Sequence, residues 1–306
     1  VDAGVIKPQP GPQTALLECP CDLIFFGGSR GSGKTFASLL KIIQHTEQWG
    51  TYSSVLVVRR TYKQLDDMIK DAKRVFQPLG AQWYGSEGKF IMQNGAEVKF
   101  RHLDSDSDAD EYQGHSYSLL IAEELGNFPS PDPINKLLAT LRSAHGIKCQ
   151  FMATGNPGGP GHQWVKAMFI DPAPLGNRVI STVYTDPFTG QSVTRTRTFI
   201  PGTVRDNLYL NPVEYAAQLR MVGNEMLVKA WLFGDWNIVI GAFFDNWDPR
   251  KHVIRSFEIP RHWLRFRAGD WGSARPFAIG WFAVASDTSK ISQGDSAPPS
   301  SFRAAP

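Results

Sequence analysis

With 306 residues, 42% of them hydrophobic and 20% charged, the chain can bury the core of one large or two moderate domains, which excludes global disorder. A net charge of +3 neither demands nor excludes a nucleic-acid partner, so a DNA-binding face has to come from local clusters of Lys and Arg. Cys19, Cys21 and Cys149 fit neither a disulfide framework nor zinc-ligand spacing and read as buried or incidental thiols of a reducing, intracellular protein. No apolar run approaches the ~20 residues of a membrane span, and the polar, Pro-rich start is not a signal peptide.

Residues 1–20 read as a Pro/Gly-rich lead-in. The apolar run Leu23-Ile24-Phe25-Phe26 predicts a buried strand, Gly27 to Gly33 a loop, and the spacing from Lys34 onward a helix. Val55 to Val58 predicts a second strand and Tyr62 to Phe76 a second helix. This strand–helix rhythm marks a parallel sheet with crossovers. Residues 89–100 alternate around Asn94-Gly95, which predicts a hairpin with a type I′ turn. Further on come a strand at Leu119–Ala122, a helix from Ile134 to Ala144, a strand from Lys148 to Thr154 and a hairpin around Asp186–Gln191. Helices near Pro212–Leu219 and Asn224–Leu232 follow. After Trp236 the aromatic, Pro- and Arg-rich stretch reads as a linker. Strands at Leu264–Ala268 and Phe277–Val284 come next, then a polar Pro/Ser-rich end expected to be disordered.

Gly28-Ser29-Arg30-Gly31-Ser32-Gly33-Lys34-Thr35 fits G-x-x-x-x-G-K-[ST] between that first strand and helix. Glycines let successive backbone N–H groups turn toward phosphate oxygens, and the helix start adds its positive dipole end. Lys34 would neutralise the β/γ oxygens of ATP, and the Thr35 hydroxyl would join the shell of Mg²⁺. A chance match in a chain of this length is on the order of one per cent, and the context is the required one.

Leu119-Leu120-Ile121-Ala122-Glu123-Glu124 is an apolar strand ending in two carboxylates. Glu123 would hold Mg²⁺, mostly through water, and Glu124 would polarise the attacking water. The bland alternative is two exposed acids in the first turn of a helix. Glu123 is one methylene longer than the Asp usual in such ATPases. Arg30, inside the loop, would reach the developing γ-phosphate charge in cis, while Arg101 and Arg142 are weaker candidates acting in cis or on a neighbouring subunit.

These motifs, with PGPQTALLECPCDLIFFGGSRGSGKT, VLVVRRTYKQL, YQGHSYSLLIAEELGNF, ATGNPGGPGHQWV, DNLYLNPVEYAAQL and LFGDWNIVIGAFFDNW in order, resemble the large terminase subunit of tailed double-stranded DNA phages. The resemblance implies a P-loop NTPase core, α/β with a parallel-rich sheet flanked by helices, over residues 1–240. It also implies a linker at 241–262 and the start of an RNase H-like nuclease at 263–306. It places Gln13 where the family has an adenine-contacting Gln, and Thr154 and Asn156 in a coupling motif sensing the γ-phosphate. Glu at the first acidic position occurs in some branches. Asp270 falls at the first metal carboxylate of the nuclease, which would use divalent Mg²⁺ or Mn²⁺. Only Asp287 and Asp295 follow it, so the nuclease is expected to be incomplete. Implied partners are double-stranded DNA, the portal protein, the small terminase subunit and further copies in a homo-oligomeric ring, from a monomer in solution. The setting is the host cytoplasm and, transiently, the viral prohead, with no membrane.

Two competing readings are a helicase or other DNA translocase of the same ATPase class, and a nucleotide-gated binding subunit without turnover. For DNA, Lys63, Lys70, Lys73, Arg74, Arg195 and Arg197 are candidate phosphate contacts, with a solvated face as the alternative for each.

Overall fold

Apolar runs too short for helices become the central strands of one nine-stranded sheet. In chain order these are β1 (Leu23–Gly28), β2 (Ser54–Arg59), β3 (Gln82–Tyr84), β4 (Lys89–Ile91), β5 (Glu97–His102), β6 (Leu119–Ala122), β7 (Gln150–Gly155), β8 (Ile180–Thr185) and β9 (Ser192–Gly202). Their spatial order is β3-β4-β5-β2-β6-β7-β1-β9-β8. The run β5-β2-β6-β7-β1-β9 is parallel, and antiparallel hairpins close both edges. The computed structural model describes residues 6–221, 225–237, 254–270 and 278–285. The chain divides into two compact units, Val1–Gly241 and Ala242–Pro306.

Alternate strand residues feed two cores, as the two-residue period of a strand requires. Ile24, Phe26, Val55, Val57, Ile121 and Met152 pack with Leu39, Ile42, Met68 and Phe76 of helices α2 (Lys34–Trp49) and α3 (Tyr62–Phe76). On the other face Phe25, Leu56, Val58, Leu120 and Phe151 pack with Leu137 of α4 (Asp132–Leu138), Val165 of α5 (His162–Val165), Phe169 and Trp236. The parallel strands therefore end together on one rim, where the loops after β1, β6 and β7 meet.

Three local expectations are corrected. The lead-in contains a helix, α1 (Pro12–Glu18), started by Pro12 in its first turn. The helix expected over Ile134–Ala144 stops at Leu138, because the backbone beyond turns to the sheet. Tyr117 N–H donates to Thr140 O at 2.9 Å and Arg142 N–H to Tyr117 O at 3.2 Å. The Asn94-Gly95 hairpin is present but its turn is not type I′, since Gly95 (φ 83°) takes positive φ and Asn94 does not. His162 to Ile170 forms the short α5 followed by one π-turn (Lys166–Ile170).

Helices α6 (Pro212–Arg220) and α7 (Glu225–Phe233) follow β9, with Asn211 capping α6 through Val213 N–H. The second unit contains an antiparallel pair, β10 (Leu264–Asp270) and β11 (Ala278–Val284), with Asp270 opposite Ala278. The polar end and most of the expected linker lie outside the described residues.

His45 of α2 is buried, with Nε2 on Ser118 Oγ at 2.8 Å. Burial, reinforced by nearby Lys41, pushes its pKa down to about 4. Below the ordinary histidine range the unfolded chain takes up a proton that the folded one refuses, so stability falls with pH from about 6.5 to 4. We expect about 3 kcal/mol to be lost across that window on this account. Urea unfolding at pH 7 and pH 4 should show His45→Gln, which can keep the Ser118 bond, losing less than the wild type.

Candidate active site

The phosphate loop runs from Gly28 at the end of β1 to Thr35 in the first turn of α2. Ser29 and Arg30 N–H groups are taken, by Gly202 O (2.9 Å) and Trp231 O (2.8 Å). The next five N–H groups, Gly31 to Thr35, have no protein acceptor among the described residues. Five consecutive donors at a helix start form an anion site. Gly33 makes the last bend at φ 78°, and a Cβ there would stand 2.6 Å from the Gln13 amide nitrogen, so only glycine fits.

Lys34 is buried, and its Nζ donates to Ser29 O (2.6 Å) and Ser32 Oγ (3.1 Å). Desolvation pushes its pKa down to about 8, with Glu124 and Glu123 opposing and Arg30 adding to the shift. A polyphosphate in the loop would supply the countercharge that burial leaves Lys34 short of.

Glu123 is fully buried at the end of β6, not in an exposed helix turn. Thr35 Oγ1 donates to its Oε2 at 3.2 Å, Arg59 Nη2 to the same oxygen at 2.8 Å, and Ser38 Oγ to Oε1. Thr35 and Ser38 lie on one face of α2, and Arg59 ends the neighbouring β2. The hydroxyl and carboxylate oxygens are hard ligands side by side, a donor set suited to Mg²⁺.

Glu124 follows with φ 55° and ψ 52°, a conformation unusual for a non-glycine residue and frequent at functional sites. Its N–H donates to Thr154 Oγ1 (3.2 Å), and Asn156 Nδ2 donates to both carboxylate oxygens (3.2 and 3.0 Å). Thr154 and Asn156 come from the end of β7, paired between β6 and β1. Asn156 Oδ1 is buried without a partner among the described residues. The loop after Asn156 is fastened by His162, whose Nδ1 accepts from Gly158 N–H (2.9 Å) and whose Nε2 meets Trp236 O (3.1 Å). Desolvation lowers the His162 pKa, keeping the ring neutral in that role.

Gln13 is buried beside the loop, with Nε2 on Gly33 O (3.1 Å) and Oε1 accepting from Gln9 N–H (2.9 Å). The guanidinium of Arg30 lies 3.5 Å from the Trp231 ring centroid. Reaching a γ-phosphate would require it to leave that ring. Arg101 is tied to Gly88 O and Phe100 O, and Arg142 to Ser116 Oγ and Gly114 O.

On α3, Lys70 pairs with Asp66 and Asp67, and Arg74 with Asp71, so this helix carries mixed charge rather than a basic stripe. Arg195 pairs with Asp22, and Arg197 donates to Thr182 Oγ1. The side chain of Asp270 lies outside the described residues. Among those described there is no group of three or more His, Cys, Asp or Glu able to hold a metal. Sequence reading missed Arg59 and Ser38. Ser38, three residues after Thr35, was discoverable from helical period; Arg59 needed the strand order.

A parallel sheet with a glycine loop between β1 and α2, and an acid at the end of β6 one strand beyond the neighbouring β7, is the P-loop NTPase fold. The profile described as "Terminase large subunit, T4likevirus-type, N-terminal" matches residues 25–237, and the chain belongs to this family. Similar structures include the large terminase of a thermophilic bacteriophage in complex with ADP. It is 19% identical, covers 91% of this chain and 66% of that one, and has a TM-score of 0.58. Another crystal form of the same phage protein is 17% identical over 92% and 66%, with a TM-score of 0.60. Its complex with ATP-gamma-S is 18% identical over 91% and 65%, with a TM-score of 0.56. The chain thus spans just under two thirds of the length of these relatives. A comparison with curated protein sequences returns no match.

Removing the Arg59 guanidinium would strand a buried carboxylate. Arg59→Met should lower the unfolding free energy by about 3–5 kcal/mol, measured by urea denaturation at pH 7. The double variant Arg59→Met/Glu123→Gln should recover part of that loss, because no buried charge is then left alone.

Proposed function

We propose that the chain hydrolyses ATP with Mg²⁺ and that this drives double-stranded DNA into a viral prohead, as the motor of a large terminase. The observation that carries the reading is the opposition of the donor loop, with Lys34, to the Glu123–Glu124 pair across the ends of β1 and β6. Support also comes from family membership and from the thermophilic-phage large terminase structures in complex with ADP and ATP-gamma-S.

In this reading the N–H groups of Gly31 to Thr35 and the Lys34 ammonium bind the β/γ-phosphates, and Gln13 lies beside the adenine. Thr35 and Glu123 hold Mg²⁺, which supplies charge neutralisation of the phosphoryl oxygens. Glu124 orients the attacking water and accepts its proton. Asn156 holds that carboxylate in place by donating to both of its oxygens. Thr154, bonded to the Glu124 backbone, lets the β7 loop respond when the γ-phosphate leaves. Arg30 stabilises the transferring phosphoryl group after exchanging Trp231 for it.

We further assign residues 1–240 to the motor, 241–262 to a linker and 263–306 to the start of an RNase H-like nuclease, with Asp270 as a divalent-metal ligand. The partners are the portal protein, the small terminase subunit and further copies in a ring, acting in the host cytoplasm and on the prohead.

Glu124→Gln keeps the shape of the site and removes the base. Phosphate release should fall by about 10²–10⁴-fold, while ADP and ATP-gamma-S affinity, read by fluorescence titration, stays within about twofold of wild type. Wild-type turnover in this variant would remove Glu124 from the role; absent turnover in the unmodified protein, with Mg²⁺ and DNA supplied, would remove the motor.

A further inference from the structure

Glycines stand at positions 31 and 33 of the donor loop, so the Gly31–Ser32 peptide follows a glycine, and Gly31 is at φ 77°. A peptide plane that follows a glycine turns more readily than one between two substituted residues, because no Cβ on that side opposes the turn. Yet an anion site needs one orientation, with the N–H inward. Something outside the loop has to choose.

We propose that Asn207 is the positioning residue that makes this choice. Its Nδ2 donates to Gly31 O at 2.7 Å. In a trans peptide the C=O and the following N–H point in opposite directions, so holding Gly31 O on the Asn207 side commits the Ser32 N–H to the other side. That N–H has no protein acceptor among the described residues. Gln13 does the same two peptides further on, holding Gly33 O at 3.1 Å and so aiming the Lys34 N–H.

The amide of Asn207 cannot turn over to present its oxygen instead. Its Oδ1 accepts from Tyr209 N–H (3.1 Å) and from Gln9 Nε2 (3.3 Å), while Gln9 Oε1 takes Leu208 N–H at 2.6 Å. The turn carrying it is fixed by Asp206, whose Oδ2 accepts from Thr203 N–H (2.6 Å) and Thr203 Oγ1 (2.8 Å). Leu210 and Tyr215 from the same segment lie so close to Gly31 that a Cβ there would stand 2.8 Å from Leu210 and 3.1 Å from Tyr215. The segment after β9 therefore sets the donor geometry of the loop after β1.

This inference rests on the nucleotide-binding reading above, and the test separates the two. Asn207→Asp keeps the shape and the Oδ1 acceptor but turns the donor into an acceptor facing Gly31 O; Asn207→Ala removes the side chain without adding charge and reads the same bond if the aspartate variant does not fold. Affinity for ADP and for pyrophosphate is measured by calorimetry well below the melting temperature of each variant, alongside that melting temperature without ligand. Both variants should bind both ligands about tenfold more weakly or worse, the cost of leaving a part-buried group mispaired. A variant that melts earlier but binds with wild-type affinity gives Asn207 a structural role only and overturns the proposal. So does a loss confined to ADP with pyrophosphate unchanged. If the unmodified protein binds neither ligand, the nucleotide reading fails, and this inference with it.

Discussion

The carboxylate of Glu123 has no contact with solvent, and a charge so placed survives only where every oxygen finds a partner. Arg59 from β2 and two hydroxyls from α2 provide them. The requirement ties three elements together at one point: the strand that ends in the acid, the strand beside it and the helix that begins at the phosphate loop. Arg59 is itself anchored by Gln64 O at the start of α3 (2.7 Å), so the second helix is drawn into the same network. The need to keep one buried acid paired thereby brings hydroxyl and carboxylate oxygens together beside the start of α2.

The phosphate side is built in the opposite way, around donors left unpaired. Ser29 and Arg30 give their N–H groups to Gly202 and Trp231, which ends the run of vacant donors sharply at Gly31. Gly234 permits this closeness: a Cβ there would stand 2.7 Å from Gly28 Cα, so the chain leaving α7 can press on the loop only as glycine. An acid held in place faces amides held open, and Lys34 lies between them with its charge weakened by burial.

Much of this was legible in the sequence because it is local. The loop motif, the apolar run before Glu123 and the strand before Asn156 each carry their own signal, and the parallel order follows from strand–helix alternation. What was not legible depends on distant pairings. Asn207 meets Gly31 across 176 positions and Arg59 meets Glu123 across 64, and neither has a local pattern of its own. The helix after Asp132 read too long because apolar period alone does not reveal that Tyr117 bonds through its backbone to Thr140 and Arg142. The Asn94-Gly95 turn was misread because the dipeptide serves two hairpin geometries, and the bond from Gly95 N–H to Met92 O selects the one with a single positive φ.

One segment, Thr203 to Trp236, reaches both loops that flank the site. At one end it holds Gly31 through Asn207. In the middle it holds Arg30 through the Trp231 carbonyl and ring. At its far end Trp236 stacks on His162 with ring centroids 5.3 Å apart and accepts from it, and that histidine holds the loop after Asn156. Trp236 also sets its edge against Phe25 at 5.5 Å, in the strand that leads into the phosphate loop. The phosphate loop and the β7 loop are not bonded to each other directly by any of these contacts; they share a strap. The positions of the two loops are therefore set by the chain that follows β9 as well as by the strands that carry them.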